Sequence, residues 1–149
     1  SARSRMALER YKTILRNEAG DTPGKWLIDE KDIQLRLGQL AARVIALETL
    51  DMRQVARRQV GGRPGATASI VKTLGAELLQ AIEKASMEAL GPHGLPAMKL
   101  DGPDFVVPNE TSVPEHGWAI AGRHLNGLAG TIFGGASEIQ REIIAKELT

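Results

Sequence analysis

A glycine-rich turn near the end of the chain has the composition of a ligand-binding turn. Gly134-Gly135-Ala136-Ser137 comes directly before an apolar helical pattern, and Gln140 follows the serine by three residues. The first backbone N–H groups of a helix have no partner within that helix, so they can bind an anionic or polar ligand. The same residues also match a Ser-x-x-Gln capping box, which would satisfy those groups internally. The residues alone leave both interpretations open.

Other residues that could carry chemistry give weaker signals. The histidines, His93, His116 and His124, do not have the i, i+4 spacing of a helical metal site, so packed or solvated side chains are the better interpretation. The cluster at 61–65 lacks the Gly-Lys-Ser/Thr ending of a phosphate loop and favours a plain turn between helices. The run at 91–94, Gly-Pro-His-Gly, fits a helix C-terminal turn but does not exclude a site.

The composition excludes several classes of function. Nineteen Lys and Arg residues nearly balance eighteen Asp and Glu residues, for a net charge of +1, which argues against nucleic acid as a partner. The chain has no cysteine, so disulfides, zinc–thiolate sites and thiol nucleophiles are excluded. No apolar run has the length of a membrane span, and we expect a cytoplasmic, bacterial protein without a membrane partner.

Apolar residues at helical spacing predict the elements that position these turns. We expect helices over 3–17, from an N-cap at Asp29 to the 61–65 turn, over 67–90 and 115–128, and from Ser137 onward. The side chains predicted to face the core are Met6, Ala7, Tyr11, Ile14, Leu15, Ile33, Leu37, Leu40, Val44, Leu47, Val55, Ile70, Leu74, Leu78, Ala81, Ile82, Ala85, Ala89, Trp118, Ala121, Leu125, Leu128, Ile139, Ile143 and Ile144.

One long stretch lacks this periodicity. Residues 91–114 hold five of the seven prolines, which predicts a loop. No strand pattern is present, so the expected fold class is all-α, an up-and-down four-helix bundle plus a short C-terminal helix. The basic, polar residues at the N-terminus resemble a helix entered part-way along, which suggests one domain, 1–149, of a longer protein.

The segment from Thr131 to Lys146 closely resembles the C-terminal signature of acyl-CoA dehydrogenases: an aromatic residue, glycines, a serine, Ile-Gln-Arg and an apolar helix. Three weaker similarities occur in the family's order. Residues 16–20, Arg-Asn-Glu-Ala-Gly, resemble Arg-x-x-Phe-Gly, and residues 69–72, Ser-Ile-Val-Lys, match Ser-x-x-Lys. Residues 88–94, Glu-Ala-Leu-Gly-Pro-His-Gly, resemble Gln-x-x-Gly-Gly-x-Gly. The resemblance spans nearly the whole chain.

This resemblance implies FAD as cofactor and a set of residues that contact it. Arg16 corresponds to an arginine that reaches the FAD pyrophosphate across a dimer interface. Gly91 and Gly94 correspond to glycines beside the adenosine part of that cofactor. The residues that correspond to contacts with the subunit's own FAD are Gly135, Ser137 and Gln140.

The chain departs from the family pattern at four positions. Gly134 occupies the usual position of the catalytic glutamate, so no catalytic residue is expected in this chain; some family members carry that glutamate upstream of the point matching Ser1. Ala19 replaces the aromatic residue, and Pro92 replaces a glycine. Glu88 replaces a glutamine and adds negative charge near an anionic cofactor. Glu18 and Glu138 align with no known base, and we interpret both as surface charges.

The family oxidises acyl-CoA thioesters of fatty acid metabolism, with an electron-transfer flavoprotein as the expected acceptor. The resemblance therefore implies an acyl-CoA substrate and self-association as a dimer or tetramer, homomeric or heteromeric. We expect the isolated chain to be inactive, because the family's β-domain and second helical domain are absent from it. Two alternatives stay open: a partner subunit without a catalytic base, and an unrelated helical interaction module.

Overall fold

The computed structural model describes residues 1–62, 65–94, 114–117 and 119–148, and this part of the chain forms a helical bundle. Its α-helices are α1 (Ala2–Asn17), α2 (Lys31–Gln59), α3 (Gly65–Leu90), α4 (Ile120–Leu128) and α5 (Ser137–Leu148). Short 3-10 turns lie at Leu27–Asp29, Gly91–Gly94, Glu115–Gly117 and Ala129–Thr131. The predicted all-α bundle is confirmed, although α4 is shorter than predicted.

The core lies where α1 and α2 pack against α3. Side chains three and four positions apart share one face of a helix, and each of these helices carries such a stripe. The buried members are Ala7, Leu8, Tyr11, Leu15, Leu40, Val44, Leu47, Leu78, Ile82 and Ala85. α3 is the central helix because it packs against α1, α2, α4 and α5.

Several predicted core positions in the first three helices are wrong. Met6, Val55 and Leu74 are exposed, whereas Leu8 and Gln54 are buried. Each exposed residue adjoins the buried stripe, and one step around a helix is enough to turn a side chain away from its neighbours.

The start of α2 also differs from the prediction. Asp29 lies in a 3-10 turn, where its carboxylate accepts the Trp26 N–H at 3.2 Å, and α2 begins at Lys31. The aspartate thus closes the turn before the helix instead of capping the helix itself.

The last two helices bury less than their patterns predict. On α4, Ile120 and Ala121 are buried, but Leu125 and Leu128 are half-exposed. On α5, Ile139 and Ile143 are exposed, while Ile144 is partly buried. Apolar spacing predicts which face of a helix is apolar, but it does not predict which element packs against that face. In the described part of the chain these two faces remain exposed. Trp118 and most of the predicted 91–114 loop lie outside the described residues.

α5 runs antiparallel to α3 along the first half of that helix. Arg141 pairs with Glu77 at 2.6 Å, and the Glu147 carboxylate accepts the backbone N–H of Ala66 at 2.5 Å. Glu147 therefore caps the N-terminus of α3 from 81 residues away. None of the helices of the described residues combines the length and apolar composition needed to cross a bilayer.

Candidate cofactor-binding site

The structure brings together two of the motifs that the sequence analysis singled out. Glu18 and Ala19 follow α1, Glu88 and Gly91 lie at the end of α3, and all four line one groove of about 440 Å³. Tyr11 forms part of its wall, and the other lining residues include Asp21, Arg36, Pro92 and His93. We call this the end groove, because it lies at the end of the bundle where α1 and α3 both terminate.

The end groove contains a buried hydroxyl that makes no internal hydrogen bond. The Tyr11 side chain is fully buried, and its Oη has no hydrogen-bond partner among the described residues. Burial raises the pKa of this phenol above its ordinary value of 10.0, so the group remains protonated at neutral pH. An unpaired buried hydroxyl destabilises the free protein, and a ligand in the groove could satisfy it.

The negative charge of Glu88 is compensated within the chain. Arg36 Nη1 lies 2.6 Å from one carboxylate oxygen, and Lys84 Nζ lies 3.1 Å from the other. Partial burial raises the pKa of this carboxyl, but hydrogen bonds from Arg36 and Lys84 outweigh it and leave the pKa below its ordinary value. The repulsion between Glu88 and an anionic cofactor is therefore reduced, because a cation lies next to each oxygen of the carboxylate.

The backbone conformation and the packing at the end of α3 favour glycine at two positions. Gly91 has φ +53°, the left-handed conformation of a helix-terminating residue. A Cβ on Gly94 would lie 2.9 Å from the Met87 carbonyl oxygen, so no side chain fits there. Gly91 lines the end groove, whereas Gly94 is buried and is not among the residues that line it. Arg16 is exposed on the last turn of α1, two residues before Glu18.

Glu18 is not the free surface charge that we predicted. Its Oε1 lies 2.6 Å from Nε2 of His116, and both side chains are about four-fifths buried. The pair joins the end of α1 to the turn that precedes α4, 98 residues along the chain. No local pattern predicts this contact, because its two residues lie 98 positions apart. Glu138 is exposed, as predicted.

The glycine-rich turn before α5 has a backbone conformation that favours glycine. Gly134 has φ +67° and Gly135 has φ +96°, both in the left-handed region. A Cβ on Gly135 would lie 2.6 Å from Nε2 of Gln140, whose side chain folds back over the turn. Positive φ therefore favours glycine at both positions, whereas the contact at Gly135 is with the far end of a flexible side chain that can move aside.

The predicted capping box is wrong. Ser137 is the first residue of α5 rather than the residue before it, since the Gln140 N–H donates to the Ala136 carbonyl at 3.0 Å. The Ser137 side chain is buried, and its Oγ has no hydrogen-bond partner among the described residues. A buried hydroxyl without a partner is unfavourable, so a polar ligand that reached this helix N-terminus would be stabilised by a hydrogen bond to it.

The two sites are separate. Gln80, on α3, donates to the Gly127 carbonyl at 3.0 Å, just before the turn that leads to α5. Gly91 lies eleven residues beyond Gln80, and this separation corresponds to about 16 Å along the helix axis at 1.5 Å per residue. Each site contains one buried hydroxyl that is unpaired among the described residues. The residues present therefore fit a ligand with hydrogen-bonding atoms at each site, in agreement with the expectation that the turn and the end groove contact two different FAD molecules.

Comparison with known proteins identifies the fold. Residues 4–149 match the family model described as "Acyl-CoA dehydrogenase, C-terminal domain". Among curated protein sequences, none matches the chain. An acyl-CoA dehydrogenase from Geobacillus kaustophilus superposes with a TM-score of 0.77 at 18% identity, covering 98% of this chain and 33% of its own.

Two further solved structures are similar. The ChsE4-ChsE5 complex from Mycobacterium tuberculosis has 28% identity and a TM-score of 0.72, covering 96% of this chain and 34% of its own. PigA, solved as an FAD complex, has 17% identity and a TM-score of 0.75, covering 97% and 32%. The chain thus spans about a third of the length of the structures that it matches.

Proposed function

Because the chain belongs to the acyl-CoA dehydrogenase family, through that family's C-terminal domain, we propose that it holds FAD in a protein that oxidises an acyl-CoA thioester. The observation that carries the proposal is the buried Ser137 hydroxyl, unpaired among the described residues, at the start of α5. Such a hydroxyl is stabilised when a ligand completes its hydrogen bond. In the proposed reaction, the α proton of the thioester goes to a carboxylate base, and the β hydrogen leaves as hydride.

The flavin supplies the hydride acceptor when it is bound, and this chain supplies binding and orientation. Ser137 Oγ and the first N–H groups of α5 would donate hydrogen bonds to polar atoms of the subunit's own cofactor. Gly135 would let the backbone approach the cofactor closely, because it has no side chain. The Gln140 side chain packs over the turn. At the end groove, Gly91 and Gly94 would accommodate the adenosine part of a neighbouring subunit's cofactor. Arg16 would pair with its pyrophosphate.

The catalytic base must come from outside the glycine-rich turn. Gly134 stands where many family members have their glutamate, and glycine has no group that can accept a proton. A base for this step has to be positioned and shielded from water, which raises its pKa towards the working range. We therefore propose that the base lies in a part of the full-length protein that precedes Ser1.

The full-length protein, purified without added flavin, tests this function. We expect FAD absorbance at one flavin per subunit, which bleaches when an acyl-CoA is added without an electron acceptor. The Ser137→Ala variant should lose FAD affinity by about fivefold or more, the value of one hydrogen bond. Ser86→Ala is the matched control, because that buried hydroxyl already donates to Ile82 O at 2.9 Å. Undiminished FAD affinity in Ser137→Ala would contradict the assigned role.

A second candidate is a partner subunit without a base. It is favoured by Gly134 and by the similarity to the ChsE4-ChsE5 complex at 28% identity. In that case the purified protein would bind FAD or assemble with a second chain, yet acyl-CoA would not bleach its flavin until that chain was added. Residues 1–149 expressed alone should show no acyl-CoA-dependent bleaching under either function. Reduction of an added electron-transfer flavoprotein would identify the acceptor.

A further inference from the structure

α2 carries a second apolar stripe, on the side of the helix away from the core. Its buried residues Leu40, Val44 and Leu47 belong to the core that α2 forms with α1 and α3. Along the exposed side lie seven further positions, spaced alternately by three and four residues, and none of them is charged: Leu35, Gly38, Ala42, Ile45, Thr49, Met52 and Ala56. We call this line the outer stripe. Regular three-and-four spacing is the pattern of a seam between two packed helices.

The outer stripe is exposed along its whole length. Leu35, Ile45 and Met52 are 65%, 57% and 66% exposed. Thr49 Oγ1 donates to the Ile45 carbonyl at 2.9 Å, so this hydroxyl is satisfied within the helix. The stripe runs from Leu35 to Ala56, which is about 32 Å of helix axis at 1.5 Å per residue. An apolar line of this length, left uncovered by the described residues, marks an interaction surface.

The order of side-chain sizes along the outer stripe matches a second copy that runs in the opposite direction. Ile45 lies near the middle of the stripe. In an antiparallel pair with a two-fold axis near Ile45, Leu35 lies near Ala56 of the other copy, and Gly38 lies near Met52. A bulky side chain then meets a small one each time, which lets two helices pack closely. A parallel pair would instead place glycine against glycine and methionine against methionine.

The charges on α2 favour the same direction. The first residues, 30–32, are net acidic and include Asp32, which makes no ion pair among the described residues. Arg53, Arg57 and Arg58 are exposed near the other end of the helix, also without an ion pair in the described part of the chain. An antiparallel pair brings Asp32 near Arg57 of the other copy, whereas a parallel pair would bring like charges together.

We propose that two copies of this chain associate through the outer stripes of their α2 helices, antiparallel and about a two-fold axis near Ile45. A two-fold axis lets one surface pair with itself, so a single stripe on each copy is sufficient for a closed pair. None of the residues of the outer stripe lines the end groove or belongs to the glycine-rich turn. The pairing therefore does not require FAD, and its test is independent of the proposed function.

Cross-linking of the full-length protein tests the position of the axis. Residues 1–149 contain no cysteine, so Ile45→Cys introduces the first thiol of this part of the chain. Packed helices lie about 8–10 Å apart, too far for a disulfide, so the reagent is a short bismaleimide. We expect a cross-link between residue 45 of two copies, identified by mass spectrometry. Met6→Cys is the control, because Met6 is 61% exposed on α1 and should give none. A cross-link from residue 45 to a different position only, or none, would overturn the proposal.

Sedimentation equilibrium of the full-length protein measures the strength of the association. Ile45→Arg places two like charges beside the axis and should weaken association by about tenfold or more, whereas Met6→Arg should leave it unchanged. Asp32→Arg should weaken it by about fivefold, because the axis repeats the charge pair. Adding Arg57→Asp to Asp32→Arg should restore the association, which a misfolded variant would not do. Unchanged association in Ile45→Arg, or no recovery in the double variant, would contradict the antiparallel pair.

Discussion

Arg10 on α1 donates a hydrogen bond to Glu83 on α3 across 2.8 Å, and the Glu83 side chain is only 4% exposed. The other carboxylate oxygen, Oε2, and the Arg10 Nε have no hydrogen-bond partner among the described residues. A buried ion pair adds little net stability when desolvation cancels its attraction, but loss of one partner leaves an uncompensated charge. We therefore expect the pair to contribute more to the orientation of α1 against α3 than to the free energy of unfolding.

Arg10→Met should lower the free energy of unfolding by about 3–5 kcal/mol, because Glu83 stays buried without its cation. The double variant Arg10→Met/Glu83→Leu should recover most of that loss. Urea denaturation of the three proteins measures both effects. Arg5→Met is the control, since the Arg5–Glu48 pair lies on the surface, and its effect should be far smaller. A double variant as unstable as Arg10→Met would show that the charge is not the cause.

Gly134→Ala and Gly135→Ala should each lower the free energy of unfolding by about 1 kcal/mol, because both residues have positive φ. At Gly135 the new methyl group would also approach Gln140 Nε2, but that atom is the far end of a flexible side chain and can move aside. Thermal unfolding of both variants measures the cost, and adding Gln140→Ala to Gly135→Ala should change it little. A loss at Gly135 that Gln140→Ala abolishes would contradict the conformational argument.

Tyr11→Phe should raise the stability of the flavin-free protein while weakening FAD binding. Removal of an unpaired buried hydroxyl relieves its desolvation cost, about 1 kcal/mol. If a ligand in the end groove accepts a hydrogen bond from this hydroxyl, the same change should cost about fivefold in FAD affinity. Thermal unfolding and flavin titration on one preparation give both values. A variant less stable than the parent would show that the hydroxyl has a partner.

Glu88 should contribute to the acid sensitivity of the fold. Partial burial raises the pKa of its carboxyl, but the hydrogen bonds from Arg36 and Lys84 leave that pKa below its ordinary 4.5. A carboxyl with a lowered pKa in the folded state stabilises the protein above about pH 4.5 and loses this contribution as pH falls through the lowered value. Glu88→Gln should therefore reduce the difference between urea midpoints at about pH 7 and pH 3. An unchanged difference would contradict the ion-pair assignment.

Local sequence patterns were sufficient to predict most of the helix ends. The ends of α1, α3 and α5 follow from apolar spacing and from glycine at Gly91 and around Gly134, because these signals act within a few residues. The exposure of Leu125 and Ile139 could not be predicted, since amphipathic spacing does not say what covers a face.

Contacts between distant parts of the chain could not be predicted from local sequence patterns. The Glu18–His116 pair joins residues 98 positions apart, depends on tertiary packing and has no local signature. The unpaired hydroxyls of Tyr11 and Ser137 became visible only with the fold, because their partners are defined by what surrounds them. The Ser-x-x-Gln pattern at Ser137 predicted a capping box, but the position of the serine relative to the start of α5 became clear only from the structure.

The cap that Glu147 places on Ala66 has a consequence for synthesis of the protein. As the chain leaves the ribosome, α3 emerges well before the residue that completes its first turn. We expect the amides of the first turn of α3 to exchange hydrogen rapidly in Glu147→Ala and in nascent chains that stop before α5, while the middle of α3 stays protected. The order in which the helices mature would then run against the order in which they are translated.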